Sequence, residues 1–255
     1  NDYEHREGEN RFSNDEHDVR LELQHQAIGQ WQGVIGVQVG DREFSILGDE
    51  AFLPPTDTQT TGLFIVENLQ TGPWTFELGA RAEQVDHSAT NNPDTDFDTF
   101  SAGAGVIRQI NPALSLAVNV GHSERAPVSE ELYTFGPHEA TATFERGDIN
   151  LDNEAANHID VTLRGEHGRL NWSGTLFYNS IDNYVFQDTV DRGINADGTA
   201  GIGPGSNMAD GQADRVDEDG AFDTDGELLL LDFAQSDADF VGAEFELGFQ
   251  LSENL

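Results

Sequence analysis

Most of the chain alternates apolar and polar residues with a period of two, the signature of strands with one apolar and one polar face. Val19, Leu21 and Leu23 alternate with Arg20, Glu22 and Gln24. Trp31, Gly33, Ile35, Val37 and Val39 share one face, as do Trp74, Phe76, Leu78, Ala80 and Ala82 opposite Glu77, Arg81 and Glu83. The pattern recurs at Phe100–Val106, Leu114–Val120, Ile159–Leu163, Leu170–Tyr178 and Val241–Leu251. With the less regular segment Thr61–Leu69 this predicts about nine strands, and no convincing amphipathic helix stands beside them. The expected fold class is all-β, an antiparallel meander.

The connections alternate too. Short turns fall at Ala27–Gln30, Gln70–Pro73, Gln109–Ala113 and Gly165–Arg169, and long ones at about 40–60, 84–97, 122–157 and 180–239. A soluble sandwich has no reason to keep that order, whereas outer-membrane barrels have short periplasmic turns and long outer loops. Trp31, Trp74 and Trp172 each follow a short turn by one to three residues, on the apolar face. That is where an interfacial aromatic girdle belongs. Val37, Leu78, Val118, Leu163 and Phe245 are therefore expected to face lipid, and Glu77, Arg81, Arg164 and Glu244 a wet lumen.

Charge removes one class of partner. The 255 residues carry 48 acidic against 12 basic side chains, all of the latter Arg, for a net charge of -36. Such a chain repels nucleic-acid phosphates. The charge fits a solvated acidic surface, or alternatively attraction of cations. With no Cys there is neither a disulfide framework nor a thiolate metal site. No apolar run approaches the ~20 residues of a membrane helix. The chain has no initial Met and no signal peptide, and its last residues, Ser252–Leu255, read as a turn, so both ends are expected to be cut.

Several short pieces carry a family resemblance: Ser123-Glu124-Arg125-Ala126-Pro127, Glu130-Glu131-Leu132-Tyr133, Gly147-Asp148-Ile149-Asn150-Leu151, Glu154, and the strands "GTLFYNSIDNYV" and "LGARAEQ". Together they resemble the barrel of TonB-dependent outer-membrane receptors, over most of residues 1–185 and the final strand. The stretch "FGPHEATATFERG" is similar to the branch associated with uptake of zinc and other small ligands. The resemblance implies that residues 1–255 are part of a 22-stranded transmembrane β-barrel closed by an N-terminal plug. It implies outer-membrane lipid around the wall, a scarce small ligand or metal as cargo, with zinc as a transported ligand, and coupling to the TonB complex through the plug. No plug or TonB box is found here, so residues 1–255 are expected to hold the barrel portion alone. The alternatives are a passive porin or surface-adhesive barrel, and a secreted acidic β-sandwich binding calcium or carbohydrate.

For metal capture the best candidates are His138 and Glu139, with His122 and Glu145 as partners and Glu130, Glu131 and Asp148 nearby. Imidazole and carboxylate suit Zn²⁺, but no compact ligand spacing is present, and a solvated loop histidine is the plainer reading. His5, His17, His25, His87, His158 and His167 are scattered. In the acidic stretch 210–232, counting back from Gly220 or Gly226 puts Arg215 or Ala221 at the first calcium-ligand position, so an EF-hand fails and a looser carboxylate cage or a plain acidic loop is left. The Gly-rich stretch 198–207 follows no strand-to-helix switch and is not a phosphate cradle. Arg125-Ala126-Pro127 is expected to be structural. No nucleophile stands beside an orienting base, so no enzyme is expected and no catalytic residue or cofactor is assigned.

Overall fold

The structure is a computed structural model and describes residues 11–48, 51–191, 213–221 and 226–251. Among the described residues nine long strands form the wall: β1 (Arg11–Ile28), β2 (Trp31–Leu47), β3 (Thr56–Thr71), β4 (Trp74–Ala89), β5 (Thr95–Asn111), β6 (Leu114–Arg125), β9 (Glu154–His167), β10 (Leu170–Thr189) and β12 (Leu228–Phe249). They pair in chain order as one antiparallel meander. A two-sheet sandwich is thereby ruled out. The strands run past their expected ends, so the outer connections are 48–55, 90–94, 126–153 and 190–227. The extra length comes from Thr-rich and acidic segments such as Thr56–Thr61, which keep the ladder but lose the apolar contrast that marks a strand in sequence.

Register sorts the side chains. One row across the sheet holds Leu21, Val37, Leu63, Ala82 and Phe100. Another holds Val106, Val118, Val161, Leu176 and Ala243. Leu21 is 65% exposed, Leu63 61%, Leu176 66% and Phe245 69%, an apolar face that only lipid can cover favourably. Leu78, Leu163 and all three Trp share that face, while Glu77, Arg81, Arg164 and Glu244 share the other. Trp31, Trp74 and Trp172 each lie within the first three residues of a strand after a short turn. Gly29, Gly72 and Gly168 close three of those turns with φ of 69°, 56° and 60°, where a Cβ would be strained.

The inner face is polar and cross-linked within the band. Arg81 donates to Gln38 at 3.2 Å and pairs with Glu83. Asn119 donates to Asp160 at 2.8 Å. Phe64, although inward, is covered by the Arg20 guanidinium 4.0 Å from its ring centre. Gly36 makes room for it, since a Cβ there would lie 2.2 Å from Phe64 Cζ.

The segment after β6, expected as an open outer loop, is folded. It contains a five-residue helix α1 (Ser129–Tyr133), which sequence periodicity does not register at that length, and the hairpin β7 (Phe135–His138) and β8 (Thr143–Arg146). β8 joins the sheet by parallel pairing with Leu229–Asp232 of β12, clamped by Arg146 on Asp232 at 2.6 and 2.8 Å. A two-residue strand β11 (Arg215–Val216) pairs with β12 beside it. Among the described residues no helix is long and apolar enough to cross a membrane, which bears on helices alone.

Candidate functional site

Above the lipid-facing band the alternation changes phase. On β2 the apolar residues move from Val37 and Val39 to Phe44 and Ile46, and on β4 from Ala80 and Ala82 to Val85 and Ala89. The strands are continuous, so these later residues point inward. There Ile46 and Ala89 meet Leu132 and Tyr133 of α1, with Leu53, Leu151 and Val185, in one buried cluster bordered by Phe44, Phe52, Phe97 and Phe233. A β-bulge between Ile181 and Tyr184, with Asn183 at φ 57°, re-aims the end of β10 toward it. A second cluster, Phe144, Val190, Val216, Leu228 and Leu230, sits under the hairpin. The outer mouth is thus lined by a cap with its own core.

Polar contacts pin the cap to the wall. His87 on β4 is 4% exposed, with Nε2 3.1 Å from the Pro127 carbonyl and Nδ1 2.9 Å from Thr58 Oγ1. Nε2–H therefore donates to Pro127, and Nδ1 accepts from the Thr58 hydroxyl. Burial pushes the His87 pKa below its ordinary value, against the Pro127 carbonyl and the nearby Glu130 and Asp86, which pull it up. Arg42 on β2 donates to Glu130 at 2.8 Å. Burial alone would raise the Glu130 carboxyl, but the Arg42 guanidinium and hydrogen bonds from the Glu130 backbone and the Ser129 hydroxyl together hold the group below its ordinary value. Arg125 forks between Glu154 at 2.5 Å and Glu131 at 2.9 and 3.1 Å, so this Arg has the structural role expected of it. Tyr133 donates to the Pro93 carbonyl at 3.1 Å.

The four expected metal-facing residues are not brought together as a set. His138 meets Glu145, with Nδ1 3.2 Å from Oε1, and stacks on Phe52 at 5.0 Å. Glu145 is nearly buried and also accepts from Thr143 at 3.2 Å. Glu139 opens the 3-10 turn Glu139–Thr141 between β7 and β8. His122 lies on β6 in the row of Ala102 and Asn157, on the outward face, and bonds Asn157 at 2.9 Å and Glu124 at 3.3 Å. Glu130 and Glu131 are committed to Arg42 and Arg125, and Asp148 to a turn with Asn150. The Gly-rich stretch 198–207 lies outside the described residues, as does part of the acidic stretch 210–232.

Sequence reasoning missed Arg42, His87, Phe52 and Leu53. The phase change at Phe44–Ile46 and Val85–Ala89 was the available signal for an inward-facing partner. It also missed Asp41, Glu43 and Asp57, whose carboxylate oxygens lie within 4.8 Å of one another on the outward face above the apolar band. Nothing in sequence spacing joins Asp57 to the other two; the β2–β3 register does.

A model of the family described as TonB dependent receptor-like, beta-barrel matches residues 1–252. The vitamin B12 transporter BtuB of Photobacterium profundum is 25% identical over 129 residues, 51% of this chain and 18% of that protein. The copper transporter OprC superposes with a TM-score of 0.68 at 13% identity, covering 95% of this chain and 35% of that one. The hemophore receptor HasR of Serratia marcescens, in complex with its hemophore HasA and heme, gives 0.67 at 13% identity, covering 94% and 40%. The siderophore receptor PirA of Pseudomonas aeruginosa gives 0.60 at 14%, covering 95% and 38%. These superpositions speak to the fold, and the chain spans well under half the length of each protein.

Proposed function

Because the chain belongs to the family of TonB-dependent receptor β-barrels, an outer-membrane family, we propose that it forms wall and outer mouth of a transporter taking up a scarce small ligand, a metal or metal chelate. TonB would drive the passage through a plug domain. A vitamin, a metal ion, heme and a siderophore are named for the relatives, and a small ligand captured from outside is common ground. The observation that carries the metal reading is the His138–Glu145 pair on a hairpin held rigidly in the mouth. A carboxylate accepting Nδ1–H fixes the tautomer, orients the ring and leaves Nε2 as the ligand nitrogen. Glu145 is thus an orienting group for His138 rather than a second ligand, and zinc is the proposed ion. Other ligands would come from the cargo, from water or from the plug. A passive porin is disfavoured by the cap, which fills part of the mouth with packed apolar side chains.

Zinc titration into the full-length receptor, followed calorimetrically, tests this. Binding should weaken as the pH is lowered, because a zinc ligand must be unprotonated. His138→Ala should abolish one class of site, and Glu145→Gln should weaken it by about 10–100-fold. Equal zinc affinity in wild type and folded His138→Ala would remove this residue from the site.

A further inference from the structure

The lumen face of the wall carries a bare patch. Gly79 on β4, Gly103 on β5 and Gly121 on β6 stand in one row across the sheet. A Cβ at Gly79 would meet nothing closer than 3.8 Å, and one at Gly103 nothing closer than 3.6 Å, so the wall there is open backbone. The row ends at His158 on β9, whose ring fills the space that a Cβ at Gly121 would need. Gly121 thus lets the imidazole lie flat against the wall beside the open stretch.

His158 is exposed and makes no hydrogen bond, ion pair or ring contact among the described residues. Of the described histidines, register places this one alone on the lumen face below the cap. Asp160 follows two residues on and shares that face, ~7 Å along the strand. Asn119 donates to Asp160 Oδ2 at 2.8 Å and so fixes the carboxylate by one oxygen. Directly across the ladder from His158, the buried Asn179 Oδ1 also has no partner among the described residues. The spot lies four residues along β9 from Glu154, which Arg125 clamps at the mouth. At ~3.4 Å per residue and a tilt of ~40°, that is about 10 Å deeper.

We propose that His158 and Asp160 form a transit site for a divalent cation, a second metal-binding point on the lumen wall beneath the mouth. The site rests on the metal reading of the cargo and carries it one step further along the path. An unpartnered imidazole and a carboxylate two residues apart on one strand face both turn toward one ion, and this donor pair suits zinc and similar divalent cations. The open glycine row beside them leaves room for the waters that complete the coordination shell. Two protein ligands hold an ion weakly, which transit requires, because the ion must leave as well as enter. His138 differs in being fixed by Glu145 for capture.

The test uses the full-length receptor, with Zn²⁺ alone as the probe. Calorimetric titration of the His138→Ala receptor should still show a weaker class of zinc site. Adding His158→Gln should abolish that class, and adding Asp160→Asn, which keeps the bond from Asn119 and removes the charge, should weaken it several-fold. Both residues face the lumen away from the packed cores, so unchanged thermal unfolding serves as the control for folding. Zinc uptake by cells carrying the receptor gives the second readout. His158→Gln should lower the maximal rate several-fold at an unchanged half-saturating concentration, whereas His138→Ala should raise that concentration. Persistence of the weaker class in His138→Ala/His158→Gln would overturn the transit site. Slower uptake by His158→Gln with zinc binding unchanged would overturn it too, and would make His158 a contact for the plug. A His138→Ala receptor that binds zinc as the wild type does, while His158→Gln loses a class of site, would sink the capture reading and leave the transit site standing.

Discussion

Below the level of Thr61 and Gln84 the sheet is apolar outside and polar inside; above it the order reverses. The lower region presents Leu21, Leu63, Leu176 and Phe245 outward and Arg81, Gln38, Asn119 and Asp160 inward. In the upper region Phe44, Ile46, Val85 and Ala89 turn inward, Ile46 and Ala89 packing with α1, while Asp41, Glu43, Asp57 and Asp86 face out. The same strands run through both. What differs is the solvent on each side, lipid against lumen water below, and outside water against a folded cap above. A strand has no preference of its own for either arrangement; the apolar residues follow whichever face is dry.

The largest test of this contrast removes the dry face of the cap. Leu132 is 1% exposed at the centre of the inward cluster. Leu132→Ala should cost about 2–5 kcal/mol of cap docking. Hydrogen exchange of residues 126–153 should rise sharply, while β4 and β5 below Ala82 and Phe100 stay protected. If the whole wall loosened equally, the two regions would be one cooperative unit and the contrast would be descriptive only.

The second test attacks the lower region. Val118 lies between Val106 and Val161 on the lipid face, four residues into β6. Val118→Arg should destabilise the refolded barrel by about 2–4 kcal/mol. Leu78→Arg should cost less, because Leu78 pairs across from Glu67, whose Oε2 has no hydrogen-bond partner among the described residues. Asp86→Arg, outward but above the band, should be close to neutral. Equal costs at positions 118 and 86 would erase the boundary between the regions.

The smallest effect is a pH dependence confined to the cap. His87 is neutral when docked, with its pKa held below the ordinary value, whereas undocked it titrates near 6.5. Below about 6.5 the undocked state therefore binds the extra proton, so docking is full above that pH and weakens as pH falls toward the docked pKa. The slope cannot exceed ~1.4 kcal/mol per pH unit. Glu130 acts in a lower window. Its pKa is lowered by docking, so its contribution is present above its ordinary value of 4.5 and is lost as pH falls through the docked one. His87→Gln keeps both hydrogen bonds without titrating and should remove only the upper phase, read by hydrogen exchange of the cap at pH 7 and pH 5.5. An unchanged upper phase in that variant would assign it to another group.

The phase change explains which parts of the molecule were legible in sequence. Period-two contrast between Trp74 and Ala82 locates a strand, its lipid face and its girdle, because lipid and water demand opposite chemistry on adjacent residues. From Gln84 to Ala89 the same strand continues through Gln, Asp, His and Ser. Their contrast is weak and of the other sign, so the outer ends of the strands read as loop. His138 and Glu145 are seven residues apart and meet through a local hairpin, within reach of sequence reasoning. His122 was joined to them by loop membership, but strand parity already put it on the outward face with Val118 and Val120.

The order of residues along the chain is enough to set the strands of the wall, their lipid and lumen faces, the short turns and the level of the three Trp. These follow from local alternation against two fixed solvents and need no knowledge of partners. Tertiary structure alone set where residues 126–153 go and which carboxylates Arg42 and Arg146 hold. Each depends on pairing between residues far apart in the chain: β8 with β12, and β2 with α1. Those pairings are set by the register and closure of the sheet, and a single strand's composition carries no information about either.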